Sequence, residues 1–252
     1  MKRTSVAALF VFLAVSGDTA FARIKTETVT YKDGSAELQG FLAYDDSAKG
    51  PRPGVLVVHD WTGLQDYAES RAKQLAELGY VAFAADIYGK GIRPIDPKEC
   101  AVQAGTYKKD LPLLRWRVLL GLGQLKKQPG VDATKLAAIG YCFGGSCVLE
   151  LARSGAPVAG VVSFHGGLST TMPAKPGSIQ GRILVCHGGA DSFVNKEVPA
   201  FKAEMEKAGA KMEFVTYDGA QHGFTKPGPA YQEKADKESW SAMKKFFAEI
   251  FR

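Results

Sequence analysis

Short, largely apolar runs return along this chain, separated by stretches in which apolar residues recur at helical spacing. Residues 54–59 (GVLVVH), 80–85, 136–140, 158–164 and 182–186 are runs of the first kind. An apolar run without alternation is what a strand covered on both faces requires. Residues 66–78 belong to the second kind, with Tyr67, Leu75 and Leu78 at near-helical spacing and Gly79 closing the segment. Residues 97–127 read as mostly helical with Pro112 interrupting, and 144–153, 198–208 and 230–251 as further helices. Residues 212–217 supply a last strand. Strand then helix, repeated, constrains the chain to a mostly parallel sheet with helices on both faces. Residues 26–31 and 37–44, about the turn at Asp33-Gly34, add an antiparallel hairpin at the edge. No internal repeat or Pro/Ser-rich linker divides residues 23–252, which read as one α/β domain.

The first 22 residues read differently. Met1-Lys2-Arg3 gives a positive start, residues 6–15 are ten apolar positions, and Ala20-Phe21-Ala22 places small residues where a signal peptidase cuts. The run is shorter than the roughly 20 residues of a spanning helix. The expectation is cleavage after Ala22 and an exported protein, periplasmic or secreted, with no membrane attachment. Cys100, Cys142, Cys147 and Cys186 form no CxxC pair and no framework spacing. Cys142 and Cys147 on one helix would lie about 8 to 9 Å apart, too far for a bridge. A bridge involving Cys100 stays open.

Composition narrows the partners. Over 252 residues, 46% hydrophobic and 23% charged, the balance is that of a globular protein. The 32 Lys and Arg against 26 Asp and Glu give +6, but no run of five basic residues occurs, so a nucleic-acid footprint is unsupported. Neither GxGxxG nor GxxxxGK[ST] occurs, which removes support for a nucleotide cofactor. No cofactor is expected, and no metal, because the dispersed histidines show no HExxH or other tight ligand spacing. The expected partner is a small molecule, bound by a monomer or small homo-oligomer.

In open α/β sheets, ligands sit beyond the carboxyl ends of the strands. His59, His165, His187 and His222 all follow strands, as do Asp60, Asp86, Cys142 and Asp191. The sharpest signal is Gly140-Tyr141-Cys142-Phe143-Gly144-Gly145, between an apolar strand and an apolar helix. G-x-nucleophile-x-G at such a junction is a nucleophile elbow, its glycines letting strand and helix pack around a strained turn. Here the nucleophile is cysteine. The helix N-terminus beneath it favours thiolate, and the Phe143 amide points at a developing oxyanion. The partners must follow in the order acid, histidine. Asp191 in HGGAD and His222 in AQHGF satisfy that order, His222 as the base and Asp191 as its orienting acid. Asp218 is the alternative acid; four residues before His222 and next to Gly219, it reads as a turn residue.

The elbow GYCFGG, with HDWTG at 59–63, DIYGK at 86–90, HGGADSFV and HGF, resembles the dienelactone hydrolase family over essentially the whole length after residue 22. The resemblance implies an α/β-hydrolase fold and a Cys142, His222, Asp191 triad. It implies opening of an unsaturated lactone such as 4-carboxymethylenebutenolide to maleylacetate. Family members carry a glutamate where Asp60 stands, holding the resting thiol; aspartate is one methylene shorter. Where they use arginines to grip a substrate carboxylate, this chain has Lys90 and Lys226, with Arg93 nearby as a substitute. Lysine cannot form the planar clamp that arginine gives. Trp61 follows the third strand, where its amide supplies the second oxyanion donor. Its ring, Tyr88 and Phe224 are candidates to line the pocket. The rival readings are a broad-specificity exported carboxylesterase, a metal-dependent hydrolase built on the histidines, and a non-catalytic binder on a hydrolase scaffold.

Overall fold

The computed structural model describes residues 23–252. The expected signal segment lies outside the described residues. Strands β1 (Ile24–Asp33) and β2 (Ala36–Asp45) form the opening hairpin. Then come β3 (Arg52–Val58), α1 (Asp66–Glu77), β4 (Val81–Ala85), α2 (Pro97–Lys109) and α3 (Leu111–Lys126). The second half runs β5 (Val131–Tyr141), α4 (Phe143–Arg153), β6 (Gly160–Phe164), β7 (Arg182–Gly188), α5 (Val198–Ala208), β8 (Met212–Tyr217) and α6 (Glu233–Ile250). One eight-stranded sheet results, ordered β1-β2-β4-β3-β5-β6-β7-β8. β1 with β2 and β2 with β4 are antiparallel, and every other pairing is parallel. The architecture is the mostly parallel, helix-flanked sheet that the strand-helix alternation predicts, and it agrees with the α/β-hydrolase fold that the resemblance implies.

The apolar strands are buried on both faces because successive side chains point to opposite sides. Leu56 and Val58 of β3 face the layer of α2, α3, α4 and α5, with Leu114, Val118, Val148, Leu151 and Phe201. Val55 and Val57 face α1 and α6, with Ala72, Leu75, Met243 and Phe247. Each fully buried aliphatic side chain contributes roughly 1.5–3 kcal/mol, so both layers are held firmly to the sheet.

β5 begins at Val131, ahead of the expected 136, and two helix boundaries also differ from the expectation. The break in 97–127 falls at Asp110, two residues before Pro112. Proline is tolerated in the first helical turn, where its missing N–H costs nothing, so it opens α3. The Asp110 carboxylate accepts the Leu113 amide at 3.0 Å as the cap. The last helix starts at Glu233, because residues 226–230 carry Pro227 and Pro229 in an irregular segment. All four cysteines are free.

Candidate active site

β5 hands over to α4 with no intervening loop, and Cys142 stands at the junction with φ 54° and ψ −111°. A left-handed conformation is costly for a residue with a Cβ and persists only where packing imposes it. Two glycines show what imposes it. A Cβ on Gly140 would overlap the Gly144 carbonyl, and one on Gly144 would overlap the Val58 carbonyl of β3. Strand and helix approach closer than any side chain allows, and the turn between them pushes Cys142 outward.

Two other strand ends deliver the partners. Asp191, after β7, is fully buried, and its Oδ1 accepts the amides of Phe193 at 3.1 Å and Val194 at 3.2 Å. Its Oδ2 accepts from His222 Nδ1 at 2.8 Å, and His222 Nε2 lies 3.0 Å from Cys142 Sγ. Asp218, the alternative acid, is exposed. Burial disfavours a charged His222, but hydrogen bonds to Asp191 and Cys142 outweigh it and raise its pKa to about 10. Burial pushes Asp191 up, yet the His222 bond and the two amides hold it below the ordinary carboxylate value. The three residues form a continuous relay from carboxylate to sulfur.

The two residues expected to supply oxyanion donors border the same cavity as Cys142. Phe143 is the first residue of α4, where backbone N–H groups have no intrahelical partner. Trp61 lies on the loop after β3, its carbonyl fixed by the Tyr88 hydroxyl at 3.1 Å. Both residues line a cavity of about 730 Å³ together with Cys142, His165, Phe193 and His222.

The remaining candidates divide. Asp60 and Lys226 line this cavity, but Lys226 Nζ lies 2.6 Å from Asp60 Oδ2, while Asp60 Oδ1 accepts the Thr62 amide and hydroxyl. Both Asp60 oxygens are engaged by Lys226 and Thr62, and among the described residues no hydrogen bond joins Asp60 to the Cys142 sulfur, whose partner is His222. Lys90 is outside the cavity, paired with Glu37 of β2 at 3.1 Å. Arg93 bends back to the Gly89 and Ile92 carbonyls and to Asp86, lining a separate hollow. Tyr88 is buried against Phe143 and Tyr107, and Phe224 against His165 and Tyr217. Neither lines the cavity, because both aromatic rings pack into the layers that hold the site up.

Three polar lining residues were given no site role in the sequence. Lys108 of α2 reaches the cavity and forms no ion pair among the described residues. Glu197 accepts the amides of Leu168 at 2.7 Å and Ser169 at 3.0 Å. His165, after β6, touches both Cys142 and His222. The other two strand-end histidines have partners of their own. His59 meets the Asp60 carbonyl and Ile87 amide, and His187 meets Asn195. Among the described residues no three His, Cys, Asp or Glu side chains converge on one point.

Known proteins share this arrangement of elements. The solved structure m3DLH is 39% identical, with a TM-score of 0.86 over 91% of this chain and 99% of that one. A dienelactone hydrolase-like promiscuous phosphotriesterase from metagenomic libraries is 36% identical, with a TM-score of 0.84 and the same coverage of 91% and 99%. A Yersinia pestis protein named provisionally as a carboxymethylenebutenolidase is 25% identical over 226 residues, 84% of either chain. The family model of the dienelactone hydrolases matches residues 38–251, so this chain is a hydrolase belonging to the dienelactone hydrolase family.

Proposed function

We propose that this hydrolase opens a lactone or cleaves a carboxylic ester through a covalent cysteine acyl-enzyme, with Cys142, His222 and Asp191 as its catalytic residues. The observation that carries the reading is the unbroken 2.8 Å and 3.0 Å relay from Asp191 through His222 to Cys142 Sγ. His222 takes the thiol proton, and sulfur attacks the substrate carbonyl carbon. The carbonyl π pair moves to oxygen, which the Trp61 and Phe143 amides receive. Collapse expels the alkoxide, protonated by His222, and leaves a thioester on sulfur. His222, now neutral, draws a proton from water, whose oxygen attacks the thioester and returns the thiol and a carboxylic acid. In a lactone this first collapse is what opens the ring; the expelled oxygen stays attached to the acyl part, and deacylation then frees the opened product as one molecule. Asp191 holds the imidazole tautomer throughout.

The family resemblance favours a substrate with its own carboxylate, such as 4-carboxymethylenebutenolide yielding maleylacetate. Lys108 is the proposed partner of that carboxylate, since Lys226 is paired with Asp60 and Lys90 with Glu37. The same neutralisation supports a second reading, a broad carboxylesterase that accepts uncharged esters. Export after removal of residues 1–22 belongs to the proposal, and N-terminal sequencing of the periplasmic protein tests it. Turnover of carboxylated dienelactones, neutral lactones and p-nitrophenyl esters, with a phosphotriester added for the metagenomic relative, tests the chemistry. Activity on an ester or lactone that vanishes in Cys142→Ala supports the reading; activity that survives there ends it.

A further inference from the structure

One buried polar group at the elbow has no part in that reaction. His165 follows β6, is 2% exposed, and has φ 40°. Among the described residues it and Cys142 are the two non-glycine positions with positive φ, and they are bonded to each other. The Cys142 amide donates to the Phe164 carbonyl at 3.0 Å and to His165 Nδ1 at 3.1 Å. An Nδ1 that accepts belongs to the neutral ring with its proton on Nε2. That nitrogen donates to Thr225 Oγ1 at 2.7 Å, and Thr225 Oγ1 lies 2.6 Å from the Tyr67 hydroxyl of α1. Arg71, also of α1, donates to the Thr225 carbonyl at 3.0 Å and pairs with Asp236 of α6. The nucleophile's amide is thereby anchored to two helices behind the sheet.

The ring also meets the base. Its centroid is 5.5 Å from that of His222, edge to face. We infer that His165 is a positioning residue of this site: its unprotonated Nδ1 holds the strained Cys142 backbone that aims Sγ at His222, and its ring confines the His222 imidazole. The inference rests on Cys142 being the nucleophile. A charged His165 would surrender the acceptor and set a second cation beside His222. Burial prevents this, pushing the His165 pKa down to about 3.

The test compares kcat and KM on a p-nitrophenyl ester for wild type, His165→Phe, His165→Asn, Thr225→Val and Cys142→Ala, with thermal melts of each. Phenylalanine keeps a planar ring and loses the acceptor, whereas the asparagine oxygen stands near the Nδ1 position. The expected result is a kcat roughly 10- to 100-fold lower in His165→Phe with KM within about twofold, as for a small misplacement of a reacting atom. His165→Asn recovers most of that loss. Thr225→Val, which frees the ring without removing it, shows a smaller fall in kcat alone and carries the test if His165→Phe does not fold. Wild-type kcat in His165→Phe or in Thr225→Val, or a folded His165→Asn no better than His165→Phe, overturns the inference while Cys142→Ala is inactive. Activity in Cys142→Ala overturns the nucleophile and the inference together.

Discussion

His222 and His165 meet edge to face with ring centroids 5.5 Å apart, yet their surroundings drive their titrations in opposite directions. Against burial, Asp191 and Cys142 raise His222 from its ordinary 6.5 to about 10. Burial, with His222 beside it, lowers His165 from 6.5 to about 3. Between 6.5 and 3 the unfolded chain binds the proton that folded His165 refuses, so stability falls as pH falls. Between 6.5 and 10 the folded chain keeps a proton on His222 that the unfolded chain releases. The stability from His222, complete below 6.5, is therefore lost as pH rises through 10. Urea midpoints from about pH 4 to about pH 10 should show His165→Asn with a shallower acid limb than wild type, by up to about 1.4 kcal/mol per pH unit. His222→Gln should flatten the alkaline limb instead. Curves parallel to wild type in both variants would contradict the assignment.

The elbow makes a steric prediction. Gly144→Ala drives a Cβ into the Val58 and His59 carbonyls, which are backbone and cannot rotate away. α4 must then lift from β3, at about 1–3 kcal/mol, and carry the Phe143 amide with it. Gly123→Ala, in α3, meets nothing within 4 Å and should be neutral or stabilising by up to about 1 kcal/mol. Denaturant midpoints moving the same way for the two substitutions would refute this account of the turn.

Much of this was readable from residues in order. The meeting of Cys142, His222 and Asp191 was legible because each follows a strand end, and a parallel sheet gathers strand ends at one edge whatever the loops do. The groups around it depend on how loops run. Lys90 and Arg93 follow β4 closely, but the loop turns them toward Glu37 and Asp86 instead of toward the sulfur. Tyr88 and Phe224 were placed near the right loops, and their large apolar surface took them into the core. Lys108 sits on a helical face that reads as solvent-exposed, with no local signal that α2 overhangs the cavity. His165 was visible as a strand-end histidine, but its bond to Cys142 follows from a backbone turn at φ 40° that no residue pattern announces.

Substrate charge is the next prediction. Lys108 is exposed, so a contact with a substrate carboxylate is worth roughly 0.2–1 kcal/mol. Lys108→Met should raise KM for carboxylated esters or lactones about two- to fivefold and leave neutral ones unchanged. Asp60→Asn removes the carboxylate from Lys226 and should lower KM for the same carboxylated compounds. Steady-state kinetics on matched charged and neutral substrates decides the matter; equal effects on both would mean that neither lysine senses the charge.

The acyl-enzyme itself is the most direct object to measure. Protein quenched in acid during turnover of a p-nitrophenyl ester, then weighed intact and mapped by peptide mass spectrometry, should carry one acyl group on the peptide containing Cys142. His222→Gln should carry less of it, and Cys142→Ala none. An acyl group on another residue, or full turnover by Cys142→Ala, would contradict the central claim.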